Sequence, residues 1–264
     1  MKKIKILSFI ALLVVSGLVS AAFIIIKSDK AALANNGDKG FAVVELFTSE
    51  GCSSCPAADA VVAKIEKESA NKPVYILAYH VDYWNRLGWK DVFSSADYSR
   101  RQNMYANWLN LSSVYTPQVI VNGKTEFVGS QEGTLRNAIR NSLQKEPGST
   151  LTLTNLKTGN NLLTLNYNIN NTANNTLLIA LIQKTATTVV KKGENGGRTL
   201  SHVQIVNNIQ EIPLTSTTGE AKVTLPPSFS AHNYEVIAFL QNVKNGEIIA
   251  ATRYAFPAGV MANN

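Results

Sequence analysis

Phe41-Ala42-Val43-Val44-Glu45-Leu46-Phe47 runs through Thr48-Ser49-Glu50-Gly51 into Cys52-Ser53-Ser54-Cys55-Pro56, and the reading of this junction decides the fold. The apolar run has the composition of a buried strand, and a helical pattern starts at the cysteines. These are the only 2 cysteines in 264 residues. A strand that delivers Cys-x-x-Cys to a helix N-terminus is a layout for redox chemistry. Partial positive charge at the helix start stabilises a thiolate at Cys52, and the thiolate is the nucleophile in thiol–disulfide exchange. The spacing lets Cys55 reach the same sulfur and resolve a mixed disulfide. Pro56 falls just inside the helix, where its missing N–H costs nothing.

Two plainer readings stand beside this one. One reads the pair as half of a zinc site, yet a structural zinc wants four ligands and the three histidines, His80, His202 and His232, are widely scattered. The other reads it as an inert disulfide, which would close a very short loop and stabilise little.

The N-terminus addresses the compartment. Lys2, Lys3 and Lys5 form a basic region, and Ile6 to Ile26 is free of charge and mostly apolar. That is the pattern of an export signal. Ala32-Leu33-Ala34 and Val19-Ser20-Ala21 offer cleavage sites, and residues 6–26 are also long enough for a retained membrane tether. Either outcome places the body of the chain in the periplasm or cell envelope, where a lone Cys-x-x-Cys favours exchange chemistry over a disulfide scaffold. The formal charge of +7 overstates the basicity. Removing residues 1–34 deletes five lysines against one aspartate and leaves about +3. With no dense Lys/Arg stripe left, nucleic-acid binding has no support.

Composition changes near Pro147-Gly148. Before it, strands and helices alternate: a buried-type strand at 74–79, a helical stretch at 94–109, strands at 118–121 and 125–128 flanking the turn signal Asn122-Gly123, and an amphipathic helix at 134–144. After it, short alternating runs at 151–154, 163–167, 177–182, 221–225, 235–240 and 247–251 read as strands. The expected organisation is an export signal at 1–34, a thioredoxin-like α/β domain at 40–147, and an antiparallel β-sandwich-like domain at 148–264.

A thioredoxin-like site demands a cis-proline opposite the cysteines, at the start of a strand. Thr116-Pro117 meets that demand in order, since Gln118-Val119-Ile120-Val121 follows it. In that fold the residue before the proline presents its backbone to an incoming substrate chain. The stretch Val44 to Pro56 resembles the signature of a secreted bacterial thioredoxin-like family catalogued as domain of unknown function 1223. The likeness continues through Ala78-Tyr79-His80-Val81-Asp82-Tyr83-Trp84-Asn85, Gly88-Trp89-Lys90-Asp91, Tyr115-Thr116-Pro117-Gln118-Val119 and Gly193-Glu194-Asn195-Gly196-Gly197-Arg198-Thr199-Leu200. The resemblance implies a thioredoxin-like domain with a β-rich extension and says little about substrate.

The usual buried carboxylate beneath such a site is missing at its place, because alternation puts Leu46 inward, with Glu45 on the opposite face. Glu50 is expected at the surface. His80, at the end of the 74–79 strand, is the candidate to stabilise the Cys52 thiolate or shuttle a proton, with Asp82 as its partner. His202 and His232 are expected to be structural or at the surface. Tyr83, Trp84, Trp89, Phe93 and Trp108 form an aromatic insertion, either a local core or a docking surface. The stretch from Gly193 to Arg198 reads as a turn or as a polar loop presented to the redox site.

The expected function is an exported thiol–disulfide oxidoreductase in which Cys52 attacks, Cys55 resolves, and Thr116, Pro117 and His80 complete the site. No cofactor and no metal is required. Its partners would be protein thiols or disulfides of the cell envelope. Two rivals remain: a copper-handling protein using Cys52, Cys55 and His80, and a non-enzymatic envelope module with a static disulfide.

Overall fold

Seven residues from Ala42 to Thr48 form β1, buried along its whole length because both of its faces are covered. The computed structural model describes residues 39–256, all within one compact unit. The export segment, its cleavage sites and the tether at 6–26 lie outside the described residues. After β1 come α1 (Cys55–Glu68), β2 (Val74–His80), a short 3₁₀ turn (Asn85–Leu87), α2 (Ala96–Trp108), β3 (Gln118–Val121), β4 (Thr125–Val128) and α3 (Glu132–Leu143). Seven strands follow: β5 (Leu151–Gly159), β6 (Leu162–Ile169), β7 (Asn175–Val189), β8 (Thr199–Pro213), β9 (Thr218–Thr224), β10 (Tyr234–Asn242) and β11 (Ile248–Ala255).

Local rules account for most of these. Cys55, Ala58, Val62 and Ile65 line the buried face of α1 at helical spacing, and Pro56 sits in its first turn. Ser95 caps α2 by accepting a hydrogen bond from the Asp97 N–H. Asn122 and Gly123 both adopt left-handed backbone, which reverses the chain between β3 and β4.

The expectation of a thioredoxin-like α/β fold followed by an antiparallel β-sandwich is overturned. One eight-stranded mixed sheet runs through both halves of the chain in the order β11-β10-β7-β8-β2-β1-β3-β4, and β5-β6-β9 form a second, three-stranded sheet. The join is β8 against β2, parallel, with Ala78 opposite Ile205. The difference has a local cause. Polar residues (His202, Gln204, Asn207, Asn208, Gln210) interrupt the apolar pattern of β8 and hide a fifteen-residue strand. With β8 unseen, the later strands had no route onto the first sheet.

The large sheet is apolar on both faces. On one face Val43, Phe47, Leu77, Tyr79, Ile120, Leu178, Ile182 and Phe239 share a core with Tyr98 and Tyr105 of α2. On the other, Val44, Leu46, Val119 and Val121 pack against α1 and α3. Further along, Leu177, Ile179, Leu181, Val236 and Leu240 pack against Leu163 and Leu165 of the three-stranded sheet. Residue alternation in β7 and β10 thus feeds two cores from one strand. The C-terminal ends of β1 and β2 bring Thr48 opposite His80 and fix the place of the cysteines.

Candidate functional site

Cys52 and Cys55 are joined in a disulfide at the first residue of α1. Ser54, the residue before the helix, makes no side-chain cap, and its hydroxyl lies 3.4 Å from Cys52 Sγ. Both cysteines are buried, Cys52 at 1% exposure and Cys55 at 0%. The Thr116–Pro117 bond is cis. Trp84 ties this segment to the cysteine loop: its Nε1–H donates to Thr116 Oγ1 at 2.8 Å, while its Cβ lies close against Gly51. Gly129 is wedged among Pro117, Leu46 and Ala58 of α1, where a Cβ would meet atoms at 3.1–3.3 Å. Thr116 and Pro117 are therefore held beside the helix that carries Cys55.

Behind the disulfide lies a buried polar cluster. His80 places Nδ1 at 2.7 Å from Asp91 Oδ2, and the same oxygen accepts the Glu50 N–H at 2.8 Å. His80 pairs with Asp91, not with Asp82, which binds Ser99 instead. Burial would raise the Asp91 carboxyl, but the charge and hydrogen bond of His80, with the N–H groups of Glu50 and Phe93, hold it below the usual range. Glu50, expected at the surface, is fully buried, and its Oε2 accepts from Trp89 Nε1–H at 2.7 Å. His202 is no surface residue either. Its ring stands 4.9 Å from that of His80, and Phe93 packs against both.

His202 lies between two carboxylates, 3.5 Å from Glu50 Oε1 and 3.5 Å from Asp59 Oδ2. Burial opposes its protonation, but Asp59 and Glu50 outweigh it and lift the imidazole to about 9. These are ion-pair contacts: Nε2 of His202 and Oε1 of Glu50 have no well-formed hydrogen bond. Asp59, one turn beyond Cys55 in α1, also accepts from Thr48 Oγ1–H at 2.9 Å. The sequence offered a signal here, a carboxylate four residues after Cys55, but its partner sits on the strand that the pattern concealed.

The loop between β7 and β8 reaches over the cysteine segment. Glu194 Oε2 accepts the Ser53 N–H at 2.8 Å. Asn195, fully buried, donates through Nδ2 to the Glu50 and Cys52 carbonyls at 2.9 and 2.8 Å. The stretch from Gly193 to Arg198 is both the hairpin connection and part of the site.

Glu45 lies across β1, away from α1. Arg101 donates to its Oε1 at 2.6 Å and Tyr105 to its Oε2, inside the α2 core. Leu46 takes the face towards α1. Trp108 packs against Gly246, and its Nε1–H donates to the Val243 carbonyl. His232 gives its carbonyl to Lys184. Among the described residues, no group of three or more His, Cys, Asp or Glu side chains is arranged to hold a metal ion. No described helix is long and apolar enough to cross a membrane.

Residues 43–241 match the family described as Protein of unknown function (DUF1223), and the chain belongs to that family. No curated protein matches it. Among solved structures it is similar to protein AGR_C_4864 from Agrobacterium tumefaciens, at 25% identity and a TM-score of 0.65, over 88% of this chain and 100% of that one. A domain of the outer membrane lipoprotein Omp28 from Porphyromonas gingivalis aligns at 13% identity and a TM-score of 0.27, over 42% of this chain and 88% of that one.

Proposed function

We propose that this member of the DUF1223 family is an exported thiol–disulfide exchange protein acting through Cys52 and Cys55 on protein thiols or disulfides of the cell envelope. The observation that carries the reading is the Cys52–Cys55 disulfide at the start of α1, with the Thr116–Pro117 segment bound to its loop through Trp84. Export rests on the basic and apolar N-terminal pattern.

In the oxidising direction a substrate thiolate attacks Cys52 Sγ. The disulfide breaks, its electron pair leaves on Cys55, and Cys55 takes a proton. A second substrate thiolate then attacks the substrate sulfur of the mixed disulfide and releases Cys52 as a thiolate at the helix start. Two electrons pass from the substrate dithiol to the protein; of the two protons the substrate gives up on ionising, one ends on Cys55 and the other in solvent while Cys52 remains a thiolate. The reducing direction reverses each step. Asp59, one turn beyond Cys55 in α1 and paired with His202, is the carboxylate this reading assigns to exchange the Cys55 proton. His80 acts at one remove, through Asp91 and the Glu50 backbone.

The test is turnover of a dithiol peptide and of its disulfide form. Exchange that is lost in Cys52→Ser supports the reading, and absence of exchange in both directions removes it. A second reading, a static disulfide in a binding module, is favoured by the burial of both cysteines. A reduction potential below about −300 mV would select it.

A further inference from the structure

The two sulfurs of an exchange site must be reached by a third in line, yet Cys52 is only 1% exposed. Access to it has to be arranged by something that moves. The β7–β8 loop is bonded directly to the cysteine segment. Between Val190 and Leu200 only Asn195 is buried, and the remainder of the loop faces solvent. Its backbone hydrogen bonds are internal: Gly196 to Gly193, Gly197 to Val190, Val190 to Arg198 and Arg198 to Asn195. What fastens it to residues 50–53 is three hydrogen bonds, all made by the side chains of Glu194 and Asn195. Gly193 and Gly197, both at positive φ, bracket the pair.

We propose that Glu194 and Asn195 are positioning residues for exchange at Cys52, holding the β7–β8 loop on the backbone of residues 50–53 until both release it. The inference rests on the exchange reading and extends it.

The chemistry of the two side chains differs. Asn195 spends both amide protons on carbonyls on either side of Gly51, and its Oδ1 accepts from Arg198 Nη1 at 2.6 Å. It fixes the direction of the backbone at Cys52. Glu194 brings a negative charge to the segment where an attacking thiolate must arrive and where a Cys52 thiolate must form. Ser53, through its N–H and hydroxyl, keeps that carboxyl below its usual range, so it stays charged. The other charged groups facing the cysteine segment are Glu50 and Asp59, both beside His202, Asp91, which accepts the Glu50 N–H and pairs with His80, and Arg198, bound to Asn195. Glu194 therefore repels the attacking and the departing thiolate alike, and opening of the loop relieves both.

The experiment uses the wild-type chain, Glu194→Gln and Asn195→Ala. The rate of disulfide reduction by excess dithiothreitol and the iodoacetamide reactivity of reduced Cys52 at pH 7 are measured for each. Glu194→Gln removes charge from an exposed side chain without disturbing the fold, and is expected to raise both rates about threefold, the size of a screened charge interaction at short range. Added salt should shrink that difference. Asn195→Ala is expected to raise the reduction rate about tenfold or more by freeing the loop, the scale of losing a buried hydrogen-bonded amide. Unchanged rates in Glu194→Gln, or a salt-independent change, overturn the proposal whatever the stability of Asn195→Ala. If the variants accelerate reduction while the wild type exchanges no peptide thiols, the exchange reading fails and the loop assignment stands. If the wild type exchanges and the variants match it, the loop assignment alone fails.

Discussion

Asn195 donates its side-chain amide to the Cys52 carbonyl at 2.8 Å, across 143 positions of sequence. The cysteine segment is therefore completed by a residue from the β-rich half of the chain. His202, from the strand that follows, makes the same crossing to Glu50 and Asp59. The join of β2 to β8 is what places these groups, and it makes the later strands part of the site.

His202 should make stability pH-dependent. Its imidazole is raised from the usual 6.5 to about 9 in the folded chain. The stabilisation is complete below about 6.5 and is lost as pH rises through about 9, because the unfolded chain then gives up its proton first. The difference in unfolding free energy between wild type and His202→Gln should fall by up to about 3 kcal/mol between pH 6 and pH 10. Urea titrations at each pH measure it, and a flat difference would contradict the pairing.

The Arg101–Glu45 pair predicts an asymmetric response. Both side chains are buried, and Tyr105 also bonds Glu45. Arg101→Met should destabilise by about 3–5 kcal/mol by leaving the Glu45 charge uncompensated. The double variant Arg101→Met/Glu45→Leu should recover most of that loss, since an apolar pair needs no desolvation. Equal losses in the single and double variants would rule this out.

Gly123 tests the contact between the two halves of the large sheet. It adopts φ +69°, and a Cβ there would collide with the Gly246 carbonyl in the β10–β11 turn. Gly123→Ala should cost about 2–4 kcal/mol from backbone strain and displacement of that turn. Denaturant unfolding checks it.

Cys55→Ser separates chemistry from stability. Loss of a disulfide that closes so short a loop should cost about 2 kcal/mol by chain entropy alone. The variant should accumulate a mixed disulfide between Cys52 and a thiol substrate, because no resolving thiol remains. Intact-mass spectrometry reads the adduct directly.

The sequence made parts of this site visible and hid others for identifiable reasons. The Cys52–Cys55 disulfide and the cis Thr116–Pro117 bond were legible, because short spacing and strand order carry them. The opposite faces of Glu45 and Leu46 followed from strand alternation alone. Helix α3 was legible from Leu135, Ile139 and Leu143. The fold class was not, since β8 mixes buried polar residues with apolar ones and pairs with β2 from far away in sequence. The pairing of His80 with Asp91 rather than with the nearer Asp82 is not legible, because pairing across a loop of irregular backbone has no period to read. The burial of Glu50 has no local signal in the sequence, because Trp89 and His202 cover it from distant segments.

The most direct test of the central claim is the reduction potential of the Cys52–Cys55 disulfide, taken by equilibrating the chain with graded dithiothreitol and glutathione buffers. A value between about −120 and −270 mV is predicted, the range of exchange proteins. A value below about −300 mV, with a disulfide that resists all but strong reductant, would contradict the account and leave the bond a structural staple.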